Sequence, residues 1–138
     1  MATLSSNRIS AGTTPRALRV GVVCDTATYS LAASLSTGDV LQMIRVPVNA
    51  RVLDVYVKYA SDGEGSFIVG DGVDADRYIT DTNISAGATG QVLQRMNAII
   101  APYTYSTDDT IDITFSLSTV QPSTGAVYMV AMIEYPGP

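Results

Sequence analysis

The chain has 138 residues, 46% of them hydrophobic, with a formal charge of −5 and a pI near 4.3. That is one ordinary domain, able to bury roughly two-thirds of its unfolded surface in a single core. Seven Arg and the single Lys58 are scattered along an acidic chain, which leaves no basic stripe for a phosphate backbone and excludes nucleic acid as a partner.

Residues 1–16 are rich in Ser, Thr, Ala and Gly, with Pro15 just before the first apolar run, and are expected to be a flexible N-terminal arm; residues 17–138 are expected to be one domain. The N-terminus has no basic segment followed by an apolar one. Nowhere does the chain approach the roughly 20 apolar residues that span a bilayer, so a soluble product made in a cytoplasm is expected, with no membrane partner. Cys24 is the only cysteine and there is no His, so no intrachain disulfide and no Cys/His zinc site can form. Within VGVVC, Cys24 is expected to be a small buried hydrophobe.

From Ala17 onward the apolar pattern has period two. ALRVGVVC at 17–24, ATYSLAA at 27–33 and DVLQMIRVPV at 39–48 are expected strands. RVLDVYVKY at 51–59 places Leu53, Val55, Val57 and Tyr59 on one face and Asp54, Tyr56 and Lys58 opposite. SFIVG at 66–70, RYIT at 77–80 and YTYS at 103–106 are short candidates. VLQRMNAI at 92–99 is taken as a strand rather than a short helix because of its β-branched neighbours and the Pro102 that follows. DTIDITFSL at 109–117 alternates Ile111, Ile113, Phe115 and Leu117 with Thr110, Asp112, Thr114 and Ser116, a strand with one wet face. GAVYMVAMIEY at 125–135 is apolar on both faces as far as Ile133. It suits a central strand covered on both sides, and Val127, Tyr128, Met129, Val130 and Met132 are expected to take part in self-association. Between these runs lie STGD, PVNA, SDGEG, GDG, SAGATG, STDD and QPSTG, all turn formers. Short strands with frequent turns, no convincing helix, no repeat and no heptad predict an all-β fold, a sandwich or barrel.

The segment VGDGVDADRYIT at 69–80 raises a metal question through Asp71, Asp74 and Asp76. An EF-hand loop needs glycine at its sixth position and a bidentate Glu at its twelfth; counted from Asp71 these are Asp76 and Thr82, so the spacing does not fit. An irregular Ca²⁺ site on the three Asp stays open. The expected role is structural: Gly70 and Gly72 allow a tight reversal with positive φ, Asp74 or Asp76 caps exposed amides, and Arg77 offsets the excess charge. No metal or cofactor is expected. Without His, the Ser/His/Asp and Cys/His arrangements are absent, and adjacent Asp108 and Asp109 point to opposite faces of a strand, so no enzyme is expected.

Four elements in this order resemble small β-proteins encoded with the head genes of tailed bacteriophages, a group that includes capsid decoration or cement proteins. They are a D-V-[IL]-Q strand at Asp39 to Gln42 and a P-x-x-A-R-[VI]-L-D turn and strand at Pro47 to Asp54. A VGDG-x-D-x-DR-[YF]-I loop follows at Val69 to Ile79, and a Y-x-Y-[ST]-x-D-D-T-I strand at Tyr103 to Ile111. The resemblance covers roughly residues 17 to 135. It implies a jelly-roll-like antiparallel sandwich, commonly a trimer, seated on the outer surface of the virion capsid and bound to the phage major capsid protein. Two other readings compete with it. One is a carbohydrate- or receptor-binding module of a head fibre or tail, with Tyr56, Tyr103 and Tyr105 stacking on sugars; the other is a hydrolase using the acidic loop.

Overall fold

The computed structural model of the chain describes residues 2–10, 20–31, 34–84, 91–97, 102–117, 122 and 124–136. Among these, ten strands and one helical turn follow in the order β1 (Thr3–Ser5), α1 (Asn7–Ser10), β2 (Val20–Ser30), β3 (Val40–Val46), β4 (Arg51–Ser61), β5 (Gly65–Gly70), β6 (Ile79–Asn83), β7 (Gln91–Arg95), β8 (Tyr103–Thr104), β9 (Asp109–Leu117) and β10 (Gly125–Pro136). They form a two-layered, jelly-roll-like β-sandwich. One sheet, sheet A, has the order β1-β3-β9-β5-β6, and the other, sheet B, has β2-β10-β4-β7 with β8 beside β4. All pairings are antiparallel except β1 on β3.

Period-two patterning decides which side chains meet between the sheets. Ile111, Ile113 and Phe115 of β9 face Val127, Met129, Ala131 and Ile133 of β10 and Val55, Val57 and Tyr59 of β4 across one dry core. Burying such a side chain stabilises by roughly 1.5–3 kcal/mol, so this layer supplies most of the drive to fold. Tyr59, Phe67 and Phe115 form its aromatic centre, with ring centroids 6.2–6.4 Å apart.

Two bulges shift the alternation. Against β10, Met132 pairs with Asp54 and Ile133 with Val52, so Leu53 is the extra residue. Val52 therefore takes the core position expected for Leu53, which is only half-buried. Against β9, Gln42 pairs with Asp112 and Ile44 with Ile111, which makes Met43 the extra residue and buries both Met43 and Ile44.

The N-terminal segment departs from the expected flexible arm. Over residues 2–10 it is part of the sandwich; residues 1 and 11–16 lie outside the described residues. β1 pairs with the edge of β3, and the Ser6 amide donates to the Gln42 carbonyl. The fully buried Ser6 hydroxyl donates to the carbonyl of Met43, a group the bulge takes out of register with β9. Asn7 Oδ1 then accepts the Thr28 amide of β2 at 2.8 Å. A short, mostly polar segment thus clasps the edge of sheet A to the edge of sheet B, with Leu4 packed against the core.

Other expectations shift in detail. The two runs at 17–24 and 27–33 become the single strand β2 where described, and the run at 77–80 begins its strand only at Ile79. Of the run expected at 92–99, residues 92–95 are strand, within β7, 96–97 are not, and 98–99 lie outside the described residues. Cys24 is exposed rather than buried, because it points to the outer face of β2. Asp112, expected on a wet face, is only 8% exposed.

Candidate functional site

Two features of the sandwich stand out chemically, the acidic loop between β5 and β6 and the outer face of sheet B. The loop is organised by Asp71. One of its carboxylate oxygens, Oδ1, accepts the amides of Val73 at 3.0 Å and Asp74 at 2.9 Å. The other, Oδ2, accepts Arg77 Nε at 2.5 Å, and both partners are nine-tenths buried or more, at 5% and 7% exposure. The Asp74 carbonyl in turn accepts the amides of Asp71 and Arg77, closing the turn.

Arg77 spans the end of the sandwich. Its guanidinium carbon sits 3.7 Å from the ring centroid of Tyr103 in β8, and Tyr103 packs edge-on against Tyr105 at 5.2 Å. The Tyr105 and Tyr78 hydroxyls share a hydrogen bond of 2.8 Å in the core. Burial works against the charged form of Asp71, but the Arg77 hydrogen bond, the loop amides and the Arg77 charge outweigh it. Its carboxyl is held below the ordinary range.

Gly70 has a steric reason for being glycine. A Cβ there would stand 2.0 Å from the Asp74 carbonyl oxygen, because the loop folds back directly onto its α-carbon. Neither Gly70 nor Gly72 has positive φ, which corrects the expected reversal; Gly72 instead lies with its amide 3.1 Å from Asp109 Oδ2. The capping carboxylate is Asp71 rather than Asp74 or Asp76. Asp74 Oδ2 is 3.9 Å from Arg77, and Asp76 is exposed. Among the described residues no three His, Cys, Asp or Glu side chains come together as a metal site. Asp71, the inner carboxylate of the candidate Ca²⁺ set, already has both oxygens engaged.

The folded-back loop also roofs part of the outer face of sheet A. Asp112 stands on that face beside Gly70 on one side and Gln42 on the other. Its carboxylate accepts the Thr110 hydroxyl at 2.6 Å. Burial, with the nearby Asp109 and Asp71 charges adding to it and the Thr110 hydrogen bond opposing it, pushes its pKa up to about 6. Asp108 and Asp109 do not converge with it as a catalytic pair: Asp108 accepts the Val48 amide at 2.7 Å and Asp109 the amides of Thr110 and Gly72.

The outer face of sheet B is of the opposite kind. Along β10, Tyr128 is 41% and Met132 38% exposed, with Val130 half-buried between them. In register, Tyr128 stands between Thr28 and Lys58, Val130 between Thr26 and Tyr56, and Met132 between Cys24 and Asp54. The charged groups around this stripe are tied to one another or to a ring. Arg51 pairs with Glu134 at 3.0 Å, Arg95 with Asp54 at 2.7 Å, and Lys58 Nζ lies 5.8 Å from the Tyr128 ring centroid. What remains is an apolar stripe with a neutralised rim. Of the expected self-association set, Val127 and Met129 point into the core and Tyr128, Val130 and Met132 point outward.

The tyrosines singled out for sugar stacking do not form a platform. Tyr105 is buried, Tyr103 is half-buried under Arg77, and Tyr56 alone of the three is exposed, on the other sheet face. Sequence reasoning set Arg77 against the loop's excess charge without naming Asp71 as its partner, and it missed the Ser6 and Asn7 clasp. The spacing of Asp71 and Arg77 carried no signal of its own, whereas Ser6 before a helical turn is a capping pattern, with the Ile9 amide 3.4 Å from its hydroxyl.

No protein-family model matches the sequence, and no curated protein matches it. Solved structures do share the fold. A chain in the capsid of Ralstonia phage GP4 superposes with a TM-score of 0.73 at 13% identity, covering 99% of this chain and 99% of that one. A chain in the cyanophage Pam1 capsid asymmetric unit gives 0.63 at 18% identity, covering 90% and 92%. One in the acidic stable capsid structure of the Helicobacter pylori bacteriophage KHP30 gives 0.57 at 12%, covering 86% and 90%.

Proposed function

We propose that this chain is a structural virion protein, a decoration or cement protein that binds the outer surface of an expanded phage head and stabilises it. One observation carries the reading: the end-to-end likeness to a chain of the same extent in a phage capsid. The sequence resemblance to head-gene products points the same way. The partner is the phage major capsid protein. Binding adds buried area across subunit boundaries, so the pressure of packaged DNA must break more contacts to open the shell. A site assembled only in the expanded lattice would by mass action select that state. The negative charge suits a protein that stays off the genome. Self-association, with three copies as the number the resemblance implies, would cover Tyr128, Val130 and Met132.

Shells stripped of the protein and given it back provide the test. Restored occupancy with a higher temperature of DNA release is the expected outcome. No binding, or binding without that rise, would overturn the cement role, and a glycan array would then examine the receptor-binding alternative.

A further inference from the structure

The loop between β5 and β6 covers a group that needs water once it is charged. Gly70 of β5 and Asp112 of β9 stand side by side in the ladder, on the outer face of sheet A. On that face the backbone of Asp74 and Ala75 lies directly over Gly70. A Cβ at Gly70 would be 2.0 Å from the Asp74 carbonyl oxygen and 2.4 Å from the Ala75 carbonyl carbon. The neighbouring Asp112 carboxyl is left only 8% exposed.

The groups around Asp112 supply no free cation. β3 places Gln42 opposite it, and further along Arg45, which is exposed and stands opposite Thr110. β9 itself supplies Asp109 and the Thr110 hydroxyl, which donates at 2.6 Å. From the loop come Asp71, already bound by Arg77, and Asp74, whose Oδ2 is 3.9 Å from the same guanidinium. Asp76 is exposed and Asp108 is turned to the Val48 amide. Burial first, with the Asp109 and Asp71 charges adding to it against one neutral donor, therefore disfavours the ionised form of Asp112.

The cover is lightly held. Gly72, Val73, Ala75 and Asp76 are exposed. Among the described residues, one hydrogen bond ties the stretch from Gly72 to Asp76 to the sheet beyond its own turn, from the Gly72 amide to Asp109 Oδ2 at 3.1 Å.

We propose that the Asp74–Ala75 segment is a proton-operated lid, seated beside Asp112 while that side chain carries a proton and lifted to admit water when it does not. Because the closed lid holds the proton more tightly than the open one, losing the proton favours opening by the same factor. Opening therefore grows as pH rises from the ordinary carboxylate value and levels off above about 6. Asp71, held below the ordinary range, keeps its charge through this window and does not reverse the trend. The lid is a property of the free chain and does not rest on the capsid reading.

Hydrogen exchange on the full chain, corrected for intrinsic rates, reads the lid through the Asp71 and Arg77 amides, both of which donate to the Asp74 carbonyl. Their protection should fall by about tenfold between pH 5 and pH 7.5. Low urea should leave their exchange unchanged, since lifting the lid exposes little surface. Asp112→Asn should keep the pH 5 protection at pH 7.5. Gly70→Ala puts a Cβ against the Asp74 carbonyl and should prop the lid open, returning Asp112, followed by its carboxyl carbon-13 shift, to an ordinary titration. Wild-type exchange and this titration decide the matter if Asp112→Asn does not fold. Loop protection that ignores pH, exchange that follows urea as the core strands do, an equal fall in Asp112→Asn, or an Asp112 midpoint unmoved by Gly70→Ala would each overturn the proposal.

Discussion

The outer faces of the two sheets are built from strands of the same fold, yet they have opposite chemistry. On sheet A, β9 presents Thr110, Asp112, Thr114 and Ser116, and the acidic loop folds back over Gly70 beside Asp112. On sheet B, β10 presents Tyr128, Val130 and Met132 with nothing over them among the described residues. A polar face can be left to water, and here the chain itself roofs part of it. An apolar stripe whose surrounding charges are mutually paired is what a protein-contact surface needs: little charge to desolvate at the centre, and a rim that does not repel.

The roof over sheet A is the most sensitive point of the comparison. Arg77→Met leaves the Asp71 carboxylate buried and unpaired, and loss of about 3–5 kcal/mol is expected in urea unfolding. Asp71→Asn should cost somewhat less, since the amide oxygen still accepts the loop amides. The N-terminal clasp comes next. Ser6→Ala strands the Met43 carbonyl inside the fold, an expected loss of about 1–3 kcal/mol. Deleting residues 2–10 should lower the melting temperature as well, an outcome opposite to that expected of a frayed arm.

The two carboxylates under the roof set opposite pH trends. The folded pKa of Asp112, about 6, lies above its unfolded value, so the native state holds that proton more tightly and stability falls as pH rises from about 4 through 6. Asp71 is shifted down; its contribution is present above the ordinary carboxylate pKa and is lost as pH falls through the still lower folded value. Thermal melts should therefore be highest at about pH 4 and decline toward pH 6. Asp112→Asn should raise the midpoint at pH 7 by about 4 °C, on the order of 1 kcal/mol, and flatten the decline between about pH 4 and 6.

On sheet B, Met132→Lys and Tyr128→Lys should leave stability within about 0.5 kcal/mol, because those side chains already meet water. They should abolish any association that depends on the face. Ser116→Lys on sheet A should change neither. The smallest effect is expected from metal: millimolar Ca²⁺ should move the melting temperature by less than about 2 °C, since Asp71 is committed to Arg77 and the loop amides. A rise of many degrees, reversed by chelator, would contradict that assignment.

Much of this contrast was legible in the sequence. The alternation in DTIDITFSL and its absence in GAVYMVAMIEY separate a wet face from a two-sided apolar strand. Period two indicated most strands and an all-β sandwich or barrel, and the resemblance to head-gene proteins pointed to the sandwich. Three things were not legible, each for a physical reason. Bulges at Met43 and Leu53 change which residue is counted inward, and their signature is in the register of the partner strand. Asp112 is buried by a loop some 40 positions earlier in the chain, so no local pattern marks it. The clasp over residues 2–10 is held by hydrogen bonds to a bulged carbonyl and an edge amide, and polar residues that order this way have the composition of a flexible arm.

Density for the intact particle tests the central claim most directly. Cryo-electron microscopy of the virion should show this sandwich on the outside of the shell, with Tyr128 and Met132 of sheet B against protein and Thr114 and Ser116 of sheet A facing solvent. A particle that lacks the chain, or one in which the apolar face of sheet B is turned to water while sheet A makes the contacts, would contradict the account.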